Sequence, residues 1–111
     1  MNNEFIMLSS DIFDWDWVDD AAVFRFYIGL VLMAYTDAGA RRKGKQKKGS
    51  VVTSIRKLAL FFDMSDSKVR RCIRCLESTG DISCVCTNKN RTVTILNPER
   101  YFRFTEDSGE E

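Results

Sequence analysis

Residues 54–80 read SIRKLALFFDMSDSKVRRCIRCLESTG. Ile55, Leu58, Ala59 and Phe62 fall at i, i+3, i+4 and i+7, the spacing of one continuous helix face. Ser54 or Thr53 can cap that helix by accepting from an orphan amide. Asp63-Met64-Ser65 breaks the pattern. Ser65 is a good N-cap for a second helix, and Asp66 sits in its first turn, where the macrodipole favours negative charge. The apolar stripe resumes with Val69, Cys72, Ile73 and Leu76. Ser78-Thr79-Gly80 ends it, with Gly80 at the left-handed position that follows a helix. Two short helices and a three-residue turn make a helix-turn-helix.

The flanks complete a pattern. Ser50-Val51-Val52-Thr53 is a short strand. Ile82 to Cys86 and Thr92 to Leu96 are β-branched or alternating, and the polar turn Thr87 to Arg91 joins them into a hairpin. Pro98 closes the sheet. Upstream, Ala21 to Ala38 is apolar on nearly every face and reads as a central helix. Asp19 and Asp20 lie at its start and Gly39 is its stop. Glu4 to Leu8 suits an edge strand. Asp11 to Asp20 alternates acids with Phe13, Trp15 and Trp17, a short helix or turn that pins aromatics to the body. Tyr101, Phe102 and Phe104 are expected to pack back on it. Strand, helix, turn, helix, hairpin is the order of an α+β winged helix-turn-helix, mainly α with a C-terminal β-hairpin as wing. It is expected to occupy residues 1–104, with a disordered acidic tail over 105–111.

The charges are sorted along the chain. The total is +1, from 17 Lys+Arg against 16 Asp+Glu. Residues 1–40, 41–91 and 92–111 nevertheless carry −6, +10 and −3. A local basic field is the electrostatic footprint of a polyanion site, which net charge alone hides. At about 100° per residue, Ser67, Arg71, Arg74 and Ser78 lie opposite the stripe of the second helix. Lys68 and Arg70 flank that face. A recognition helix needs an apolar side that holds it on the domain and long donors that reach the major groove. The arginine fork matches guanine O6/N7 and phosphate alike. Lys89 and Arg91 at the hairpin tip stand where a wing would touch DNA. Ser67 and Thr53, with helix N-terminal amides, could add phosphate contacts. The alternative for the arginines is an ordinary solvated helix face, and for Arg41 to Lys48 a solvated linker.

Other chemistries lack their residues. There is no histidine, which removes His-based acid/base catalysis, Ser-His triads and His-ligated metals. No glycine-rich phosphate loop is present. The chain is therefore not expected to be an enzyme. Cys72-x-x-Cys75 followed by Cys84-x-Cys86 can be written as a four-thiolate zinc site. But Cys72 lies on the buried stripe, Cys75 points away from its centre, and Cys84 and Cys86 share one face of a strand. No metal and no cofactor are expected. Met1-Asn2-Asn3-Glu4 lacks the positive start of a signal peptide. Ala21 to Tyr35 is too short for a span of ~20 residues and contains Arg25. A cytoplasmic location with no membrane contact and reduced thiols follows as the expectation.

The sequence also resembles a family. Val51-Val52-Thr53-Ser54-Ile55-Arg56-Lys57-Leu58-Ala59 looks like the segment entering the helix-turn-helix of phage replisome-organizer and DnaD-like replication proteins. So do Met64-Ser65, Val69-Arg70, Leu76-Glu77-Ser78-Thr79-Gly80-Asp81-Ile82 and Thr87-Asn88-Lys89. Phe5-Ile6 through Phe13-Asp14-Trp15-Asp16-Trp17, followed by Phe24-Arg25, resembles the start of the same domains. The likeness covers about residues 4–104, and its specificity lies in the ordered set. It implies an N-terminal winged helix of a replication-initiation protein, with double-stranded origin DNA and helicase-loading proteins as partners. Family members commonly carry a second, C-terminal domain, so this sequence reads as a fragment or a stand-alone module.

The family usually has charged residues where this chain has Leu60 and Phe61. These two are expected either to form a self-association or partner surface, giving a homo-oligomer, or to be covered by the aromatic segment with Trp15 or Trp17. A transcriptional regulator would use the same fold and the same arginines, and a winged helix serving protein oligomerisation is the third class.

Overall fold

The computed structural model describes residues 5–36 and 49–104. The expectations for Arg41 to Lys48 and for the tail 105–111 fall outside the described residues. Those residues form a compact α+β fold with three helices and two small antiparallel sheets. Strand β1 (Ile6–Leu8) leads into a 3₁₀ turn (Ser10–Asp14) and helix α1 (Ala21–Tyr35). Strand β2 (Ser50–Thr53) precedes α2 (Ile55–Phe62) and α3 (Asp66–Ser78). Strands β3 (Ile82–Cys86) and β4 (Arg91–Ile95) make the hairpin. A 3₁₀ turn (Pro98–Arg100) and β5 (Phe102–Phe104) end the described chain.

Helix α1 starts where Asp20 accepts from the Val23 amide at 3.1 Å. It buries Val23, Phe26, Tyr27, Leu30, Val31, Met33 and Ala34. It is not covered all round: Phe24 and Ile28 are half-buried and Leu32 is exposed. It also ends at Tyr35, short of Ala38. Thr36 is extended, and its Oγ1 donates to the Leu32 carbonyl at 2.6 Å. That side-chain bond closes the helix before Gly39 is reached.

Helices α2 and α3 bury the expected stripes, Ile55, Leu58, Ala59, Phe62 and Val69, Cys72, Ile73, Leu76. Ser54 and Ser65 cap them by accepting from the Lys57 and Lys68 amides, each at 3.1 Å. Between the helices Asp63 turns the chain at φ 56°. Such a left-handed residue is uncommon outside glycine, and aspartate tolerates it better than most. Gly80 at φ 75° follows α3.

The larger sheet has the order β2-β4-β3. Its register aligns Val51, Val93 and Cys84, and beside them Val52, Thr92 and Val85. Successive side chains alternate faces. Val51, Val93, Ile82 and Ile95 are buried, whereas Val52 and Val85 are exposed. Arg91 is paired with Cys86 and Thr53, so the strand begins one residue earlier than its β-branched run. The turn is Thr87–Asn90, closed by a 2.8 Å bond from the Thr87 amide to the Asn90 carbonyl.

Pro98 does not end strand formation. It starts the 3₁₀ turn, and the chain then lays β5 against β1 with Leu8 opposite Phe102 and Ile6 opposite Phe104. Three-residue strands are too short to show a period.

The aromatic N-terminal segment is pinned as expected. The Trp15 ring lies 4.8 Å from that of Tyr27, centroid to centroid. Its indole N–H donates to buried Asp81 at 3.1 Å, and that of Trp17 donates to Thr79 at 2.9 Å. No helix among the described residues is long and apolar enough to cross a membrane.

Candidate nucleic-acid interface

Helix α3 is fixed by its buried stripe, so the rest of its surface divides into two sides. Arg70, Arg74 and Glu77 lie at i, i+4 and i+7 and turn toward the hairpin. With Ile55, Ile73 and Arg91 they line a cleft of about 180 Å³. The N-cap Ser54 and the hairpin residues Cys86 to Arg91 line a second hollow of about 190 Å³. Arg91 lines both. Arg91 is half-buried, and its guanidinium donates to Cys84 Sγ at 3.7 Å. Lys89 is exposed at the turn. The Thr87 hydroxyl holds the turn by donating to the Asn90 carbonyl and accepting from the Asn90 amide, each at 3.1 Å.

Arg71 lies on the other side. Its guanidinium meets the Asp20 carboxylate at 2.5 Å, beside the start of α1. That hydrogen bond, with a second from the Val23 amide, holds the Asp20 carboxyl below its ordinary value. The same carboxylate raises the pKa of the arginine. Arg71 therefore does not join Arg70 and Arg74 in the cleft. Spacing along α3 fixes its direction, but not the acid that α1 brings to meet it.

Thr53 is a second correction. It shares the inward face of β2 with Val51 and is only 5% exposed, so its hydroxyl is not presented to a phosphate. Ser54, next along, lines the hairpin hollow instead. Ser67 and Lys68 are exposed in the first turn of α3, with Ser67 Oγ 3.3 Å from Ser65 Oγ. The exposed amides of a helix start suit an anion. Sequence reasoning missed Ser54, Glu77 and the asparagines of the turn. The line of Arg70, Arg74 and Glu77 was present in the helical spacing.

Gly49, where the described chain resumes, accepts from the Ile95 amide and donates to the Ala34 carbonyl. That junction lies at the end of the sheet away from Arg91.

Leu60 and Phe61 are 74% and 59% exposed. Trp15 and Trp17 do not cover them, since both are engaged at Asp81 and Thr79. The four thiols are free: Cys72 buried, Cys75 and Cys84 half-buried, Cys86 exposed. Burial pushes the Cys72 and Cys84 thiols up, which leaves them less thiolate at neutral pH. Among the described residues no three cysteine, aspartate or glutamate side chains gather as metal ligands. No protein-family model matches the chain, and comparison with curated proteins and with solved structures finds no match.

Proposed function

We propose that the chain is a winged helix-turn-helix module that binds double-stranded DNA, in a cytoplasmic replication-initiation role of the phage type. The observation that carries the DNA contact is the convergence of Arg70, Arg74 and Arg91 between α3 and the hairpin. The element order from α1 to β4, with β2 beside β4 in the sheet, supports the winged-helix reading. In this reading α3 enters the major groove. Arg74 and Arg70 reach base edges, where an arginine fork pairs with guanine O6 and N7. Lys89 and Arg91 meet backbone phosphates, and the start of α3 with Ser67 and Lys68 adds a phosphate contact. Glu77 in the cleft disfavours a phosphate at that end and can accept from a cytosine amino group. The replication role and a helicase-loading partner rest on the family resemblance. The cleft supports DNA contact by a regulator of this shape equally.

Fluorescence anisotropy with selected and random duplexes tests the assignment. Arg74→Ala or Arg70→Ala is expected to cost about 1–3 kcal/mol on the preferred site and to relax preference there. Arg71→Ala, whose guanidinium is occupied by Asp20, is expected to cost less than either. Equal losses for all three arginines on both duplexes would reject base reading by the cleft. Absence of binding at low salt would reject the DNA assignment.

A further inference from the structure

Helix α1 carries Phe24, Ile28 and Leu32 at i, i+4 and i+8, one ridge along the helix. Phe61 of α2 stands across from it, and an apolar groove of about 430 Å³ runs between them. Phe62 and Gly29 form the floor. The Phe62 ring occupies the space that a Cβ on Gly29 would need, so glycine is what lets the two helices meet there. That ring is fixed from below by Phe26, with centroids 4.8 Å apart, and Phe61 stands edge-on to it at 5.0 Å. The floor is therefore built before any ligand arrives.

The groove is charged at one end only. Arg25 lines it, with its guanidinium 5.7 Å from the Phe62 centroid. No carboxylate among the described residues pairs with that guanidinium. Leu32 lies seven residues further along α1, about 10 Å away at 1.5 Å per residue. No acidic or amide side chain lines the groove between them.

We infer that this groove binds a medium-chain aliphatic carboxylate. Ligand sites of about 300–1,000 Å³ are commonly apolar with a few convergent polar groups, and here the polar group is one cation. An inorganic anion would meet Arg25 and leave the rings in water. An uncharged chain would cover the rings and leave the guanidinium without a partner. A carboxylate with an unbranched tail of about 10 Å satisfies both ends of the ridge at once. Its head meets Arg25 above the Phe62 ring, whose face already attracts the cation. Its tail lies along Ile28 and Leu32, where no side chain is available to a hydroxyl or a second charge. The groove shares no lining residue with the two hollows beside the hairpin, so the ligand is bound and measured without DNA.

Titration of the ¹⁵N-labelled whole chain with sodium octanoate, followed by amide shifts, tests this. Saturable shifts are expected at Gly29 and Phe61, with a Kd on the order of 1 mM for a ligand of this size. Hexanoate should bind more weakly and decanoate more tightly, by about two- to fourfold per added methylene. Octanol, which has the tail without the charge, should bind about three- to fivefold more weakly than octanoate, the scale of an exposed ion pair. Arg25→Gln, at an exposed position, should keep the fold and remove the preference for the acid over the alcohol. Leu32→Gln should keep that preference and remove the gain from hexanoate to decanoate. Absence of saturable shifts at Gly29 and Phe61 up to about 10 mM octanoate overturns the inference. So does octanol binding as tightly as octanoate, which would leave an apolar face fitted to a helix of another protein. An Arg25→Gln variant that still prefers the acid overturns it as well.

Discussion

Asp20 does two jobs with one carboxylate. One oxygen caps α1 at the Val23 amide and the other binds Arg71 of α3. Both bonds favour the ionised form and hold the carboxyl below its ordinary value of 3.8. A group depressed in the folded state stabilises the fold above its unfolded pKa and loses that contribution as pH falls through the folded one. The Asp20 contribution is therefore intact at neutral pH and is lost only below about pH 3.8. Urea unfolding of wild type and Asp20→Asn between pH 6 and 2 is expected to differ most at the upper end and to converge in acid. A constant difference across that range would show that the carboxylate's ionisation carries none of the stability. The pair also marks a limit of sequence reading. The place of Asp20 at the start of α1 was legible as a favourable one for an acid. Its reach to a residue 51 positions away was not, because that depends on how α1 lies across α3.

At the scale of elements, the junction of α3 and β3 is built on Asp81. This residue is 2% exposed. It accepts from Trp15 at 3.1 Å and from the Thr79 hydroxyl at 2.5 Å, and it faces Arg100 at 3.7 Å. Thr79 in turn accepts from Trp17. One carboxylate thus ties the N-terminal aromatic turn, the end of α3 and the C-terminal 3₁₀ turn together. Hydrogen bonds to a charged group contribute about 1.5–3 kcal/mol, and an abandoned buried donor adds a desolvation cost. Asp81→Ala is expected to destabilise the fold by about 2–4 kcal/mol in urea titrations, with Trp15 fluorescence changing in the native baseline. A loss under about 0.5 kcal/mol, typical of surface sites, would show the network to be incidental. Strongly periodic elements were legible: both stripes of α2 and α3, the Ser65 cap, the stop at Gly80 and the hairpin. The pairing of β1 with β5 was not, because three residues carry no period and their ends lie 98 positions apart from Ile6 to Phe104. The cleft was half legible. The arginines were found, but Arg71 was grouped with Arg74 because helical spacing gives direction, not neighbours. Thr53 was misplaced because period 2 alone does not say which face of β2 the helices cover.

Across the whole molecule, the charges that cancel in the sum are separated along the chain. Asp11, Asp14, Asp16 and Asp19 are exposed on the N-terminal segment. Lys68, Arg70, Arg74, Lys89 and Arg91 lie along α3 and the hairpin. A chain with net charge +1 gains little from bulk attraction to DNA, so the proposed DNA contact rests on the local field of that face. Neutralising about six phosphates releases as many condensed counterions, and log K is then expected to fall against log salt with a slope near −5. The hairpin contributes to this only if it sits on the backbone. Replacing Lys89 and Arg91 by alanine is therefore expected to make the slope shallower by about two and to weaken all duplexes alike. Arg74→Ala is expected to change the ranking of sequences more than the slope. A slope unchanged by the hairpin substitutions would put DNA on α3 alone and remove the wing from the interface. A slope near zero in wild type would mean that the cationic face does not meet phosphate at all.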